Sequence, residues 1–220
     1  MRVKFDEQLK LLHGELIKMG SLCEEAISLS AKALTGAPEG LEKKVSPLET
    51  EIDQMERQIE ARCLRLLLQQ QPVAKDLRTI SAALKMISDM ERIGDQAADI
   101  AELIPYIAGS TAQSKLHIGD MARAAVSMVT NSIDAFVRED LALARQVMTD
   151  DDVVDSLFSQ IKTALTSLIR HNDIQAEAAL DLLMAAKYFE RIGDHAVNLA
   201  EWVEYSITGM HKSSETSEDL

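Results

Sequence analysis

The pentapeptide Glu-Arg-Ile-Gly-Asp stands at residues 91–95 and again at 190–194, 99 residues further on. The match extends outward at the same spacing: Leu84 falls on Leu183, Ala97 on Ala196, Ala101 on Ala200 and Glu102 on Glu201. Earlier in each half, at a spacing of 102, Glu49, Ile52, Asp53, Ile59 and Leu66 fall on Asp151, Val154, Asp155, Ile161 and Leu168. Self-similarity at one long period marks a duplicated structural unit, so the chain must fold as two copies of one arrangement.

The unit is helical. Leu9, Leu12, Leu16, Met19 and Cys23 form one apolar stripe at helical spacing, and Ile52, Met55, Ile59, Cys63 and Leu66 form another. Breaks occur at TGAPEG (35–40), QQQP (69–72), AGSTAQS (108–114), RED (138–140) and HND (171–173). They predict helices over 5–35, 39–70, 73–105, 115–138, 140–171 and 174–208. No stretch alternates with period two for long enough to be a strand. An aromatic content of 4% and ten methionines also suit helix-on-helix packing. The expected fold is all-α: two tandem three-helix bundle repeats, six helices in all, packed together. The repeats are 1–108 and 114–210, joined through the Gly/Ser/Thr stretch near 109–114, with 211–220 a polar, frayed tail.

A net charge of −13 over 220 residues argues against an electrostatic grip on nucleic acid or anionic lipid and favours cations or a basic partner. No apolar run approaches the roughly 20 residues of a transmembrane segment, and MRVKFDEQLK is too polar for a signal peptide. Cys23 and Cys63 lie inside apolar helical patterns and read as reduced core residues, which makes the cytoplasm the expected location.

The acidic residues are less evenly spread than the composition implies. Glu91, Asp95, Asp99 and Glu102 share one helix face, and the second copy places Glu190, Asp194, Asn198 and Glu201 on the same face. If helices two and three form an antiparallel hairpin turning at Pro72, Glu49 falls opposite Asp95 and Asp53 opposite Glu91. With the second hairpin turning between Asn172 and Asp173, Asp151 meets Asp194 and Asp155 meets Glu190. Arg92 and Arg191 stand about 100° round the helix from their acidic neighbours and are expected not to serve their own ladders. Converging carboxylates repel one another, and oxygen-bound cations would turn that repulsion into binding energy. Gly94 and Gly193, poor helix formers, would allow the close approach. The alternative is a solvated acidic face, or ladders paired with Arg57, Arg62, Arg78 or Lys187. A second tension lies in Ser46-Pro47-Leu48-Glu49, which reads as an N-cap, a proline at the first helical position and a capping-box glutamate. Glu49 is then either a backbone cap or a ligand, and Pro47 either starts helix two or kinks it.

ERIGDQAADIAE and ERIGDHAVNLAEW, with QQQPVAKDLR ahead of the first copy and the acidic patterns of helix two, resemble the PhoU family of phosphate-transport regulators over about residues 3–208. The resemblance implies two three-helix repeats, a homodimer, and acidic motifs that hold iron, zinc, manganese or magnesium. Carried over residue by residue, those motifs fall on Glu49 and Asp53; Glu91, Asp95 and Asp99; Asp151 and Asp155; and Glu190, Asp194 and Asn198. It further implies a cytoplasmic negative regulator of the phosphate-starvation response, linking the ATPase of the phosphate ABC transporter to a sensor histidine kinase. Asn198 departs from the pattern, standing where the first repeat has Asp99.

An enzyme is the weaker expectation. Carboxylate-bridged di-iron oxidases use Glu-x-x-His on two helices, and none of His13, His117, His171, His195 and His211 has glutamate three positions before it. There is no Walker A, G-x-G-x-x-G or Cys-x-x-Cys sequence. A metal-binding helical scaffold without a phosphate role is the stronger rival.

Overall fold

The computed structural model describes residues 2–35, 40–70, 72–107 and 116–210; the joint expected near 109–114 and the tail at 211–220 lie outside them. The helices are α1 (Arg2–Leu34), α2 (Val45–Gln70), α3 (Ala74–Ile107), α4 (Ile118–Arg138), α5 (Leu141–Arg170) and α6 (Ala176–Thr208). Among the described residues there is no strand.

Local chemistry sets several of the ends. Glu139 takes a left-handed φ of 52° after α4, and its N–H bonds back to the carbonyls of Ala135 and Phe136. Asp140 then caps α5, its Oδ1 accepting from the Leu143 N–H at 3.0 Å. Asn172 (φ 56°) turns the chain after α5, and Gly209 (φ 80°) closes α6.

Several boundaries differ from the sequence expectation: α1 begins at Arg2 rather than 5, α4 at Ile118 rather than 115 and α6 at Ala176 rather than 174. Helix two begins at Val45 rather than 39, behind a 3₁₀ turn at Glu42–Lys44. Pro47, in the first turn of α2, has no N–H to give the carbonyl four residues back, so the α-helical bonding does not continue into the residues before Val45. Ser46 is therefore already helical rather than a cap. Helix three does not stop at 105 but passes through Pro105 to Ile107; so near the end, the proline removes one bond of the final turn.

Each half is an up-down-up bundle. Within the first, α1 and α2 run antiparallel: Lys18 pairs with Glu51 at 2.8 Å, and Arg62 donates to Gln8 at 3.0 Å and as a fork to Glu15. Helices α1 and α3 run parallel, fixed by the buried Ser30 hydroxyl donating to the Ala97 carbonyl at 2.7 Å. The second half repeats that bond, with Ser132 donating to the Ala196 carbonyl at 3.0 Å. The halves meet along two antiparallel seams, α1 on α4 and α3 on α6, leaving α2 and α5 on the flanks. Thr130 donates to Glu24 at 2.7 Å across the first seam, and Arg78 reaches the Ser206 carbonyl at 3.5 Å across the second.

One apolar core runs through both halves, from Leu12, Leu16 and Met19 of α1 to Leu182, Phe189 and Leu199 of α6. Cys23 and Cys63 are free and buried in it; burial pushes both thiols up, Cys63 to about 12, so neither is a thiolate near neutrality. Phe189 is fully buried. Phe189→Ala is expected to cost about 3–5 kcal/mol of unfolding free energy, read as a lower urea midpoint at unchanged slope.

Candidate functional site

The acidic residues sit where each flanking helix lies on its partner. In the first hairpin Glu56 accepts from the Ser88 hydroxyl at 3.2 Å, and Ile52 lies against Gly94, so the two helices run in the register expected for a turn at Pro72. A Cβ on Gly94 would come within 3.0 Å of Ile52 Cδ1. In the second hairpin a Cβ on Gly193 would come within 3.0 Å of Asp151 Oδ1 and 3.3 Å of Val154 Cγ1. The missing side chain of each glycine is what lets the helix pairs close this far.

The register concentrates charge. Oxygen atoms of Glu49, Asp53 and Asp95 all lie within 4.8 Å of one another, a span a single cation could bridge. Glu91 adjoins the group; burial, then Asp95, raises its carboxyl above the usual range, with smaller contributions from Glu56 and Asp53. Burial, then Asp53, raises Glu49 in the same way. Glu49 is thus turned to its acidic neighbours, with only a 3.4 Å contact from the Thr50 hydroxyl, and the capping-box reading fails because Ser46 is inside the helix.

Asp99 stands apart from this group. Burial, Glu102 and Asp95 raise it, while Arg191 of α6 opposes them.

In the second hairpin Asp151 is the most perturbed carboxyl. Burial pushes it up to about 6, helped by Asp155, Asp194 and Glu190. Among the described residues its Oδ1 is buried without a hydrogen-bond partner, facing the bare backbone of Gly193. Burial, then Glu190, also raises Asp194. These four carboxylates do not close to the span of the first group. Among the described residues only Glu49, Asp53 and Asp95 do so. The donor chemistry of both grooves nevertheless fits a hard or borderline cation: carboxylate oxygens on two helices, one of them orphaned.

Basic residues enter the grooves more than the helical angles predict. Arg92 is long enough to fold back onto its own ladder, 3.2 Å from Asp95 and 3.5 Å from Glu91. Arg57 approaches Asp53 at 3.6 Å, and Lys187 pairs closely with Glu190. Arg62 and Arg78, the other candidates, are engaged elsewhere. Asn198 is not turned to the second groove. Its amide and the Nδ1 of His195 meet the same oxygen of Asp89, at 3.0 and 2.9 Å, across the α3–α6 seam. Asp89 escaped the sequence reading because its partners lie in the other repeat. The signal that could have found it is the antiparallel α3–α6 crossing, which a single hairpin does not reveal.

Residues 16–104 and 118–203 each match the PhoU domain. The chain belongs to the PhoU family. It is 36% identical over 207 residues to the phosphate-specific transport system accessory protein PhoU homolog of Clostridium acetobutylicum, covering 93% of this chain and 94% of that one. The homolog from Pseudomonas aeruginosa is 35% identical over 211 residues, with coverages of 94% and 86%. Among solved structures, PhoU from Pseudomonas aeruginosa superposes with a TM-score of 0.86 at 32% identity, covering 94% of this chain and 100% of that chain. The phosphate transport system regulatory protein PhoU from Streptococcus pneumoniae gives a TM-score of 0.86 at 25% identity, with coverages of 94% and 98%. Both PhoU domains carry one acidic hairpin each. No helix is long and apolar enough to cross a membrane among the described residues.

The raised carboxyls have a pH signature. Asp151 has a folded-state pKa of about 6 against an ordinary 3.8, so the folded protein holds its proton more tightly than the unfolded chain. Its contribution to stability is then present at low pH and lost as pH rises through about 6. In the presence of a chelator, melting temperature should fall more between about pH 4.5 and pH 7 for the wild type than for Asp151→Asn. Identical pH profiles would contradict this placement of Asp151.

Proposed function

We propose that this protein is an accessory regulator of phosphate transport, acting on the cytoplasmic side by docking to other proteins and carrying cations in its two acidic hairpin grooves. Its action is negative: with phosphate plentiful it restrains uptake and the starvation response by linking the ATPase of the phosphate ABC transporter to a sensor histidine kinase. The observation that carries this reading is family membership over nearly the whole chain, with relatives named as phosphate-specific transport system accessory proteins. An acidic helical body with no nucleotide-binding motif has little means of controlling transport except by contact, and its charge argues against direct repression on DNA. The resemblance further implies a homodimer as the working assembly.

Cations would be held by Glu49, Asp53 and Asp95 with Glu91 beside them, and by Asp151, Asp155, Glu190 and Asp194 in the second groove. The orphaned Oδ1 of Asp151 supports this for the second groove, as the convergence of three carboxylates does for the first. Iron, zinc, manganese or magnesium would supply charge neutralisation that locks each flanking helix onto its partner. The Arg57–Asp53 and Lys187–Glu190 contacts favour a second reading, in which these grooves are charge-balanced packing seams without metal.

Replacing Asp95 and Asp194 together by alanine is expected to remove most metal found by elemental analysis of the purified protein. The helical fold should remain, and stability without metal should hold or rise because like charges are removed. Manganese should raise the melting temperature of the wild type and not of the double variant; equal shifts would favour the packing-seam reading. In the cell, deleting the gene with ample phosphate supplied should leave a starvation-induced alkaline phosphatase switched on. Low expression, in a host with no second copy, would reject the regulatory role.

A further inference from the structure

The two hairpins end differently. In the second repeat Arg145, near the start of α5, donates from Nη2 and Nε to Glu204 Oε1 at 2.7 and 3.0 Å, and so straps α5 to α6 beyond the acidic groove. The duplication places Lys43 and Pro105 at the corresponding positions of the first repeat. Proline offers no carboxylate, and no strap forms there. A cleft of about 610 Å³ opens instead between the 3₁₀ turn with the start of α2 and the C-terminal half of α3. Its floor includes Ala98, where the second repeat has the larger Val197.

The cleft is lined chiefly by acceptors. Gln96 is only 4% exposed, and its Oε1 is buried without a partner among the described residues. Asp99 and Glu102 follow along the same helix and Glu42 and Glu49 line the other wall; Glu49 and Asp95 are shared with the first cation group, so the cleft continues that groove. The cations present are Lys43, exposed at the rim, and Arg92, which is already paired with Glu91 and Asp95; Arg191 of α6 approaches Asp99 from outside the cleft. Gln96, Asp99 and Glu102 are spread along six residues of helix, a rise of about 9 Å. A planar guanidinium, with five donors on a long stem, can bridge an amide oxygen and adjacent carboxylates.

We infer that this cleft receives an arginine side chain from a partner protein, taking up in the first repeat the strapping role that Arg145 plays in the second. The partner is basic at the point of contact, which suits a chain of net charge −13. The inference rests on the docking role proposed above for its purpose, but the contact can be measured with no transporter or kinase present.

The test is an NMR titration of the full-length, chelator-treated, ¹⁵N-labelled protein with a capped pentapeptide holding one arginine between glycines, against the same peptide with citrulline. The arginine peptide should shift the Gln96 side-chain amide and the backbone amides of 96–102, with the citrulline peptide weaker by about ten-fold or more. A double variant, Lys43→Arg with Pro105→Glu, rebuilds the strap of the second repeat and should abolish the shifts while circular dichroism stays unchanged. Equal shifts with both peptides, shifts that map elsewhere, or undiminished binding by the strapped variant would each overturn the assignment. So would magnesium moving the Gln96 resonances while the arginine peptide moves none. None of these outcomes touches the regulatory role, which the gene deletion tests separately.

Discussion

Helix α2 closes on α3 at Gly94 and α5 closes on α6 at Gly193, with almost no space left where a methyl group would stand. A glycine in mid-helix costs about 0.8–1.0 kcal/mol relative to alanine, and this chain incurs that cost twice at corresponding positions. What it gains is proximity. The carboxylates on either side of each glycine face one another across two helices instead of pointing into separate water. The charge they build up is a property of the backbone approach, and without it Glu49, Asp53 and Asp95 would be ordinary surface residues. The same approach strips water from Asp151 and leaves its Oδ1 against bare backbone.

A fold that places like charges together must hold its helices by other means. The apolar core does most of this, and the paired serine hydroxyls add specificity: Ser30 on Ala97 and Ser132 on Ala196 set the height of each first helix against its third. The α3–α6 seam adds the junction of Asp89 with His195 and Asn198, so the two acidic helices are tied to each other by groups turned away from their own grooves. The flanking helices α2 and α5 lie outside that four-helix centre, each over one acidic face.

The duplication, the six helices and the register of both hairpins were legible because each depends on local spacing. The pentapeptide repeat exposed the first, the apolar stripes the second, and the positions of Pro72 and Asn172 the third. Other features were hidden for physical reasons. The backbone angle separating Arg92 from Asp95 ignores a side chain long enough to fold back, and the same length lets Lys187 reach Glu190. Asn198 was grouped with its own ladder by sequence position, but a neighbour from the other repeat competes for it, and no pattern within one hairpin reveals that competition. Pro47 signalled a break correctly, yet whether the chain would kink or start afresh depended on the 3₁₀ turn before it.

The central claim is that closely packed acidic hairpins exist to hold cations. Anomalous diffraction from crystals grown without added metal and then soaked in a manganese salt tests it most directly. The account predicts a peak bounded by Glu49, Asp53 and Asp95, and a second beside Asp151 and Asp194. Well-ordered carboxylates with no anomalous peak in either groove after the soak would contradict it.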